Sequence, residues 1–191
     1  MSAESNTSSP EQTLTKSPEQ TLTDFNQDLP LHIATLTCVR AGKSMPFARE
    51  EMSAIDKAPI KSPVTVNFMG LTTDEQADRK HHGGPLKAVH QLAPATYAKI
   101  NAEFGLKVRV GTLGENLTTE AINGLPEMTE STVCIGDVFQ YGGDFESVQD
   151  TSNDDASVQL RIVQPRRPCY KINDQIGQFT KVPNIAAWVS K

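Results

Sequence analysis

The stretch His32–Arg40 reads HIATLTCVR, a short β-prone run bounded by turn residues. Apolar residues on one helical face also predict a helix between Val89 and Phe104, which Gly105 can end. Many short strands around one good helix favour a mainly β domain, closed or sandwich-like, over a βαβ alternation. The other predicted strands are Val64–Met69, Lys107–Val110, Glu115–Thr118, Thr132–Tyr141 and Ser157–Gln164, and a weaker helix is predicted at Asn184–Ser190.

The composition excludes several classes of protein. Eighteen lysines and arginines against 23 aspartates and glutamates give 191 residues a formal net charge of −5, which argues against a non-specific nucleic-acid binder. No run approaches the roughly eighteen apolar residues of a membrane span. Cys38, Cys134 and Cys169 form no CxxC pair, and such an odd, sparse set is typical of a reducing compartment. We therefore expect a cytoplasmic protein with no nucleic-acid or membrane partner.

The first 29 residues differ in amino-acid composition from the rest of the chain. They contain SPEQTLT twice, at 9–15 and again at 17–23, in a polar segment with few large apolar residues. Such a segment cannot bury enough surface to offset its ordering entropy, so we predict a disordered tail before a folded domain over 30–191. The tail lacks the features of a secretory or transit peptide. The acidic stretch Gly142–Ala156 is predicted to be a solvated loop between two strands.

Basic residues concentrate in two windows that contain no acid. The window 79–102 holds three of the four histidines, and the window 161–171 holds three arginines and a lysine. Two such windows predict one anionic ligand held between them, provided that the fold brings them together. The alternative is two solvated faces that never meet.

The first window contains the motif HHGGPLK over residues 81–87. Gly83 and Gly84 could leave backbone N–H groups unobstructed, and Pro85 could begin a helix with Lys87 in its first turn. Together these features predict an anion site, with His82 facing the same space. The alternative for His82 is a ring that hydrogen-bonds a turn carbonyl.

The second window contains PRRPC over residues 165–169. Flanking prolines stiffen the backbone and hold Cys169 in a fixed place. Guanidinium groups beside a thiol favour the thiolate, which attacks electrophiles and binds soft metals. Cys38 and Cys134 lie in apolar runs and are interpreted as packing residues.

These windows, with GLTTDEQAD (70–78), LGENLTT (113–119) and IGDVF (135–139), resemble the YiiM-like branch of the MOSC domain family between Ser53 and Lys171. The resemblance implies a closed seven-stranded β-barrel with a few peripheral helices. It implies a molybdenum cofactor, a molybdopterin held in a basic cleft, and reduction of N-hydroxylated compounds such as 6-hydroxylaminopurine, which would be a detoxification. A pyridoxal phosphate association is known only at the level of the family.

The resemblance and the local chemistry together give the expected site. Catalytic roles fall on Cys169, His82 and Lys57, with Cys169 also the metal ligand. Thr73 departs from the family, which usually has glycine at that position. The expected cofactor-binding residues are Asp78, Gly83, Gly84, Lys87, Glu115, Asn116, Arg166 and Arg167. For Asp78 and Glu115 the alternative is that they hold turns or neighbouring groups in place.

The leading hypothesis is a molybdenum-dependent oxidoreductase of N-hydroxylated substrates. The sequence has no nucleotide fingerprint and no iron–sulfur cysteines, so electrons would come from an external redox protein. A second hypothesis is a sulfur carrier or cofactor-binding module with a persulfide on Cys169. A third is a β-barrel interaction protein that docks through its repeated tail. The chain ends at Lys191, so we expect the three-helix accessory domain of many YiiM-like members to be absent, and a homodimer is left open.

Overall fold

The computed structural model describes residues 34–122, 124–142 and 157–177, all of which belong to one compact unit, His32–Lys191. The predicted tail over 1–29, the acidic stretch after Gly142 and the predicted helix Asn184–Ser190 lie outside the described residues. Within them, neither α-helix is long and apolar enough to cross a membrane.

Short strands are the most numerous regular elements of the described chain. Two α-helices, α1 (Pro94–Phe104) and α2 (Tyr170–Gly177), accompany them, with 3₁₀ turns at Ala48–Glu50 and Pro85–Lys87. The strands are β1 (Ala34–Ala41), β2 (Met45–Pro46), β3 (Met52–Ser53), β4 (Ala58–Pro59), β5 (Val66–Asn67), β6 (Gly70–Leu71), β7 (Gln91–Leu92), β8 (Leu117–Ala121), β9 (Val138–Gly142) and β10 (Ser157–Arg161).

The largest sheet has four strands in the order β4-β1-β8-β7. β1 pairs antiparallel with β4 and β8, and β7 runs parallel to β8. The remaining strands form three separate two-stranded pairs, β2–β3, β5–β6 and β9–β10. The mainly β class is therefore confirmed. The expected closed seven-stranded barrel is not found among the described residues, because several ladders extend over only two residues and do not join the sheet.

Several of the predicted strands differ in the structure. Of Val64–Met69 only Val66–Asn67 is a strand, and the strand predicted at Glu115–Thr118 begins at Leu117 and extends to Ala121. Lys107–Val110 is not a strand, because the Asn101 side chain bonds both backbone groups of Val108, at 3.0 and 2.7 Å. Of Thr132–Tyr141, only the end is extended. Asp137 closes a turn through hydrogen bonds with Cys134, and β9 begins after it. Side chains here satisfy backbone groups that a ladder would otherwise satisfy.

Helix α1 confirms the main helical prediction, with a later start. Pro94 occupies the first turn, and Gly105 ends the helix in the left-handed conformation at φ 62°. Residues before Pro94 extend instead into β7. The buried face of α1 carries Tyr97 and Ile100, which join a core cluster with Leu92, Leu113 and Ile176.

The Tyr97 hydroxyl organises the loop between α1 and β8. It accepts hydrogen bonds from the backbone N–H groups of Gly111 and Leu113, each at 3.0 Å. It donates to Glu115, whose side chain is fully buried, at 2.6 Å. Arg40 lies 3.6 Å from the same carboxylate and offsets its charge. The loop that leads into β8 is therefore fixed by buried polar contacts.

We expect Tyr97→Phe to lower the free energy of unfolding by about 2 kcal/mol, because two backbone donors and one carboxylate oxygen lose a buried partner. Urea unfolding followed by circular dichroism measures the change. The matched control is Tyr170→Phe, whose hydroxyl bonds Glu51 on an exposed surface. Equal losses in the two variants would contradict this account of the loop.

Candidate functional site

One cavity of about 90 Å³ brings together most of the residues that the sequence predicted for the site. It lies against the segment before α2, the turn 81–87 and the loop before β8. The predicted residues that line it are Lys57, Asp78, His82, Lys87, Asn116, Arg166, Arg167 and Cys169. Side chains from separate parts of the sequence thus share one space.

Arg166 joins the two basic windows directly. Its Nη1 donates to the carbonyl oxygen of His82 at 3.1 Å and to that of Lys87 at 3.4 Å. Gln164 adds a bond to the carbonyl of Leu86 at 3.1 Å. The two windows therefore meet, and the alternative of two separate solvated faces is wrong.

Cys169 lines this cavity immediately before α2. The Cys169 carbonyl accepts a bond from the N–H of Ile172 at 3.0 Å, which fixes the backbone at the helix start. The side chain is partly buried. Within the chain that the structure describes, no group hydrogen-bonds the thiol, while the positive charge of Arg166 interacts with it. The sulfur is therefore held in place by its backbone and is available to a ligand.

His82 lines the same cavity and is half-buried. Burial lowers the pKa of its imidazole, and the charges of Arg166 and Lys171 lower it further, while Asp78 opposes them. The ring is therefore neutral at neutral pH when the cavity holds no anion. An anion beside these cations would offset their effect and favour the protonated ring.

Lys57 forms a buried ion pair with Asp74 at 2.5 Å, and each side chain is only 5% exposed. Asp74 also accepts bonds from the N–H of Gly42 at 2.7 Å and from the Asn116 amide at 2.9 Å. Burial lowers the pKa of Lys57, and the bond to Asp74 opposes that shift. Lys57 therefore lines the cavity with its positive charge largely balanced by Asp74.

Sequence reasoning missed Asp74 and selected Asp78, which belongs to the same motif. The Asp78 carboxylate accepts three bonds at 3.0 Å, from the backbone N–H groups of Lys80 and His81 and from the His81 ring. These bonds, that of the His81 backbone first, lower the pKa of Asp78. Asp78 therefore lies at the cavity but holds a turn. Both aspartates stand in GLTTDEQAD, and spacing alone did not distinguish them.

Three other predicted binding residues do not line the cavity, and their expected roles need correction. Glu115 is fully enclosed in the Tyr97 network. Gly84 donates its N–H to the Gln76 side chain at 2.8 Å, so it is not free for an anion. A Cβ on Gly83 would lie 2.6 Å from Gln76 Oε1, so this glycine is needed for close packing. The turn that follows is a single 3₁₀ turn and not a helix.

Gln76, His90 and Lys171 are site residues that the sequence analysis did not select. Gln76 binds the carbonyl of Met69 at 2.8 Å as well as Gly84, and so fixes the glycine turn. Lys171 binds the carbonyl of Met52 at 2.8 Å. His90 hydrogen-bonds the backbone of Gly114, and burial lowers its pKa to about 3. The only sequence signal for His90 and Lys171 as site residues was their position, His90 in the first basic window and Lys171 in the second.

A MOSC domain family model matches residues 78–191 of this chain. The chain belongs to the MOSC domain family. Protein YiiM of Escherichia coli is 33% identical over 138 residues, which cover 71% of this chain and 53% of that protein. A protein named reductase from Gibberella moniliformis is 35% identical over 142 residues, which cover 72% of this chain and 22% of that protein.

Two further proteins resemble this MOSC chain. YflK of Bacillus subtilis is 36% identical over 126 residues, which cover 65% of this chain and 48% of that protein. The crystal structure of YiiM from Geobacillus stearothermophilus aligns with a TM-score of 0.49 and 23% identity, over 76% of this chain and 57% of that one. The prediction of a YiiM-like MOSC protein is confirmed by the family match and the related sequences. This chain spans about half the length of YiiM and YflK.

Membership of the MOSC family associates the chain broadly with the molybdenum cofactor, and the residues present fit such a group. Among the described residues, no cluster of three metal-ligating side chains occurs, so a metal would need donors besides Cys169. A dithiolene cofactor brings such donors with it. Five lysines and arginines against three carboxylates line the cavity, which suits an anionic cofactor in an acidic protein: Lys57, Lys87, Arg166, Arg167 and Lys171 against Asp74, Glu75 and Asp78.

We expect Asp74→Ala in this MOSC domain to lower the free energy of unfolding by about 3 kcal/mol, because it leaves the Lys57 ammonium buried without a partner. The double variant Lys57→Met/Asp74→Leu should recover part of that loss, since no buried charge remains. Glu75→Ala is the control because its pair with Lys43 is exposed. Denaturant midpoints measure all three, and a double variant less stable than Asp74→Ala would refute the explanation.

His90 is expected to make the protein sensitive to acid. Its folded pKa of about 3 lies below the ordinary 6.5, so the unfolded chain binds more protons between these values. Stability should therefore fall as pH drops below 6.5, by up to about 1.4 kcal/mol per pH unit from this group. His90→Gln should reduce that slope between pH 6.5 and 4. Identical slopes in His90→Gln and the unmodified protein would exclude this role.

Proposed function

We propose that this MOSC domain binds a molybdenum cofactor and serves in the reduction of N-hydroxylated compounds, with base analogues of the 6-hydroxylaminopurine type as substrates. The observation that carries the proposal is the meeting of Cys169 and His82 in one cationic cavity, joined by Arg166. The name of the Gibberella relative, reductase, supports the same class of chemistry. The three free thiols support a cytoplasmic setting, where the reaction would detoxify such analogues.

The reaction consumes two electrons and two protons. The N–O bond breaks, the nitrogen becomes an amine, and the hydroxyl oxygen leaves as water. The molybdenum cofactor supplies the two electrons when bound. Because the sequence has no nucleotide fingerprint and no iron–sulfur cysteines, we propose an external redox protein as the electron donor.

The residues around Cys169 would hold this cofactor. The sulfur is a soft ligand with no competing hydrogen bond among the described residues. Arg167, which is exposed at the cavity, and Lys87 are placed to neutralise a phosphate or oxo groups. Arg166 contributes its charge, although two of its hydrogen bonds go to backbone carbonyls. Cys169 would thus bind the metal, whereas Arg167 and Lys87 of the same cavity wall would bind the phosphate.

His82 would deliver a proton to the leaving hydroxyl. Its pKa is lowered in the ligand-free site, mainly by burial and then by Arg166. An anionic ligand between the ring and these cations would raise that pKa. The imidazole would then be protonated, and able to donate a proton, only when the site is occupied. Asp74 holds Lys57 in the wall of the same cavity and in turn accepts a bond from Asn116, so this charge would stay fixed during proton transfer.

We expect Cys169→Ala to lower the molybdenum content of protein from a cofactor-competent host by roughly tenfold or more, because the soft ligand is lost. Reduction of 6-hydroxylaminopurine should fall in parallel. Cys134→Ala is the matched control, because this cysteine is exposed, contrary to the packing role expected from its apolar run, and does not line the cavity. Metal analysis and a product assay give the two readouts, and equal activity of Cys169→Ala and the control would refute the proposal.

The same experiment distinguishes a second candidate, a sulfur-carrier module without reductase activity. It is favoured by the free, partly accessible Cys169 thiol among cations, which would stabilise a persulfide anion. Intact-mass spectrometry would then find one additional sulfur on Cys169 in protein that holds no molybdenum. A bound metal with no persulfide would eliminate this candidate.

A further inference from the structure

The hairpin formed by β2 and β3, residues 45–53, rests on helix α2. Arg49 in its loop lies over the Tyr170 ring, 4.4 Å from the ring centre. The Arg49 Nη2 donates to Asp174 at 3.2 Å, and its Nε lies 3.1 Å from the other oxygen of that carboxylate. The Tyr170 hydroxyl donates to Glu51. Side chains of the loop thus bind the hairpin to the helix that begins directly after the thiol residue of the site.

Lys171 connects the hairpin to the Cys169 cavity. Its ammonium donates to the carbonyl oxygen of Met52 at 2.8 Å and lies 3.3 Å from the Glu51 carboxylate. The same side chain lines the cavity, and its charge adds to the burial that lowers the pKa of His82. Because Glu51 balances part of the Lys171 charge, it repels a second anion that approaches this ammonium from the cavity. The hairpin and an anion in the cavity therefore compete for Lys171.

Two other cations of the cavity have partners in parts of the fold that are held firmly. Lys57 pairs with Asp74, and each of these side chains is only 5% exposed. Arg166 donates to two backbone carbonyls. Glu51, the carboxylate beside Lys171, is by contrast 49% exposed and lies next to a loop turn. Of these three cations, Lys171 is the one whose partner is exchanged most easily for a ligand.

In the part of the chain that the structure describes, little besides these polar contacts holds the hairpin closed. The β2–β3 ladder joins two residue pairs. Met45 and Met52 are 58% and 47% exposed, so their side chains bury little surface. Arg49 and Glu50 have φ angles of 61° and 60°, a left-handed conformation that is unfavourable for residues other than glycine. A segment with little buried surface and exposed ion pairs opens at a low cost in free energy.

We propose that Lys171 is an anion-binding residue of the Cys169 cavity and that the hairpin is its latch, kept closed by Arg49. With the hairpin closed, Glu51 and the Met52 carbonyl hold the ammonium. An anion in the cavity draws the ammonium away and releases the hairpin, so opening and anion binding favour each other by the same factor. The inference rests on the proposed function only in taking the ligand of this cavity to be anionic.

The effect of Arg49→Ala on anion binding tests the latch, because the latch and simple electrostatics predict opposite signs. Removal of a cation near the cavity weakens phosphate binding if Coulomb attraction alone decides. The latch predicts that phosphate binds roughly fivefold more tightly, because the hairpin no longer retains Lys171. Lys99→Ala is the matched control, since it removes an exposed cation of α1 that does not line the cavity. Calorimetric titration of the purified full chain with inorganic phosphate, at an ionic strength kept constant with chloride, gives the dissociation constants.

The methionine methyl groups report the position of the hairpin in the same titration. With these methyls labelled for NMR, phosphate should shift Met45 and Met52 and leave Met128, which is buried and does not line the cavity, unchanged. Without phosphate, Arg49→Ala should move the Met52 signal toward its position in the phosphate-bound unmodified protein. In Lys171→Met, phosphate should shift neither hairpin methyl.

Three results would overturn the latch: no phosphate binding, a shift of Met128 without one of Met52, or phosphate binding that Arg49→Ala leaves equal or weaker. If circular dichroism shows that Arg49→Ala does not fold, Arg49→Met replaces it, because methionine keeps an apolar stem and removes the charge. If phosphate opens the hairpin as expected and cofactor-loaded protein does not reduce 6-hydroxylaminopurine, the latch stands and the reductase proposal fails. If this substrate is reduced and Arg49→Ala does not bind phosphate more tightly, the latch fails and the proposed function stands.

Discussion

The architecture of the site depends on the contact between the Arg166 guanidinium and the carbonyls of His82 and Lys87. A charged donor to carbonyl acceptors forms a strong hydrogen bond, and here it connects segments about eighty residues apart. The same cation lowers the pKa of His82 and of His90. Burial is the larger cause of both shifts, and Arg166 adds to it, so one side chain joins the two windows and helps to keep two imidazoles of the cavity wall neutral.

Polar side chains bonded to the backbone explain why irregular segments surround this cavity. Gln76 holds the glycine turn, Asn101 holds the loop after α1, and Tyr97 holds the loop before β8. Each replaces ladder bonds, so strands in this part of the chain stay short. Loops that are fixed in this way can present functional groups with the precision of regular elements.

A second cavity, of about 560 Å³, adjoins the Cys169 cavity and shares Lys87, Ala88, His90 and Arg166 with it. The Cys169 cavity contains the thiol and the His82 imidazole, whereas exposed apolar side chains such as Phe68 and Leu86 line much of the larger cavity. His90 lies on the wall between them and is held neutral by its surroundings.

The sequence by itself determined the mainly β class, helix α1 with its Gly105 end, the family, and the two windows around His82 and Cys169. These depend on local propensity or on short motifs. Only the tertiary structure decided that Asp74 pairs with Lys57, and that the short ladders among the described residues form no closed barrel. Ion pairing and sheet closure depend on which distant segments meet, and a motif's spacing does not encode that.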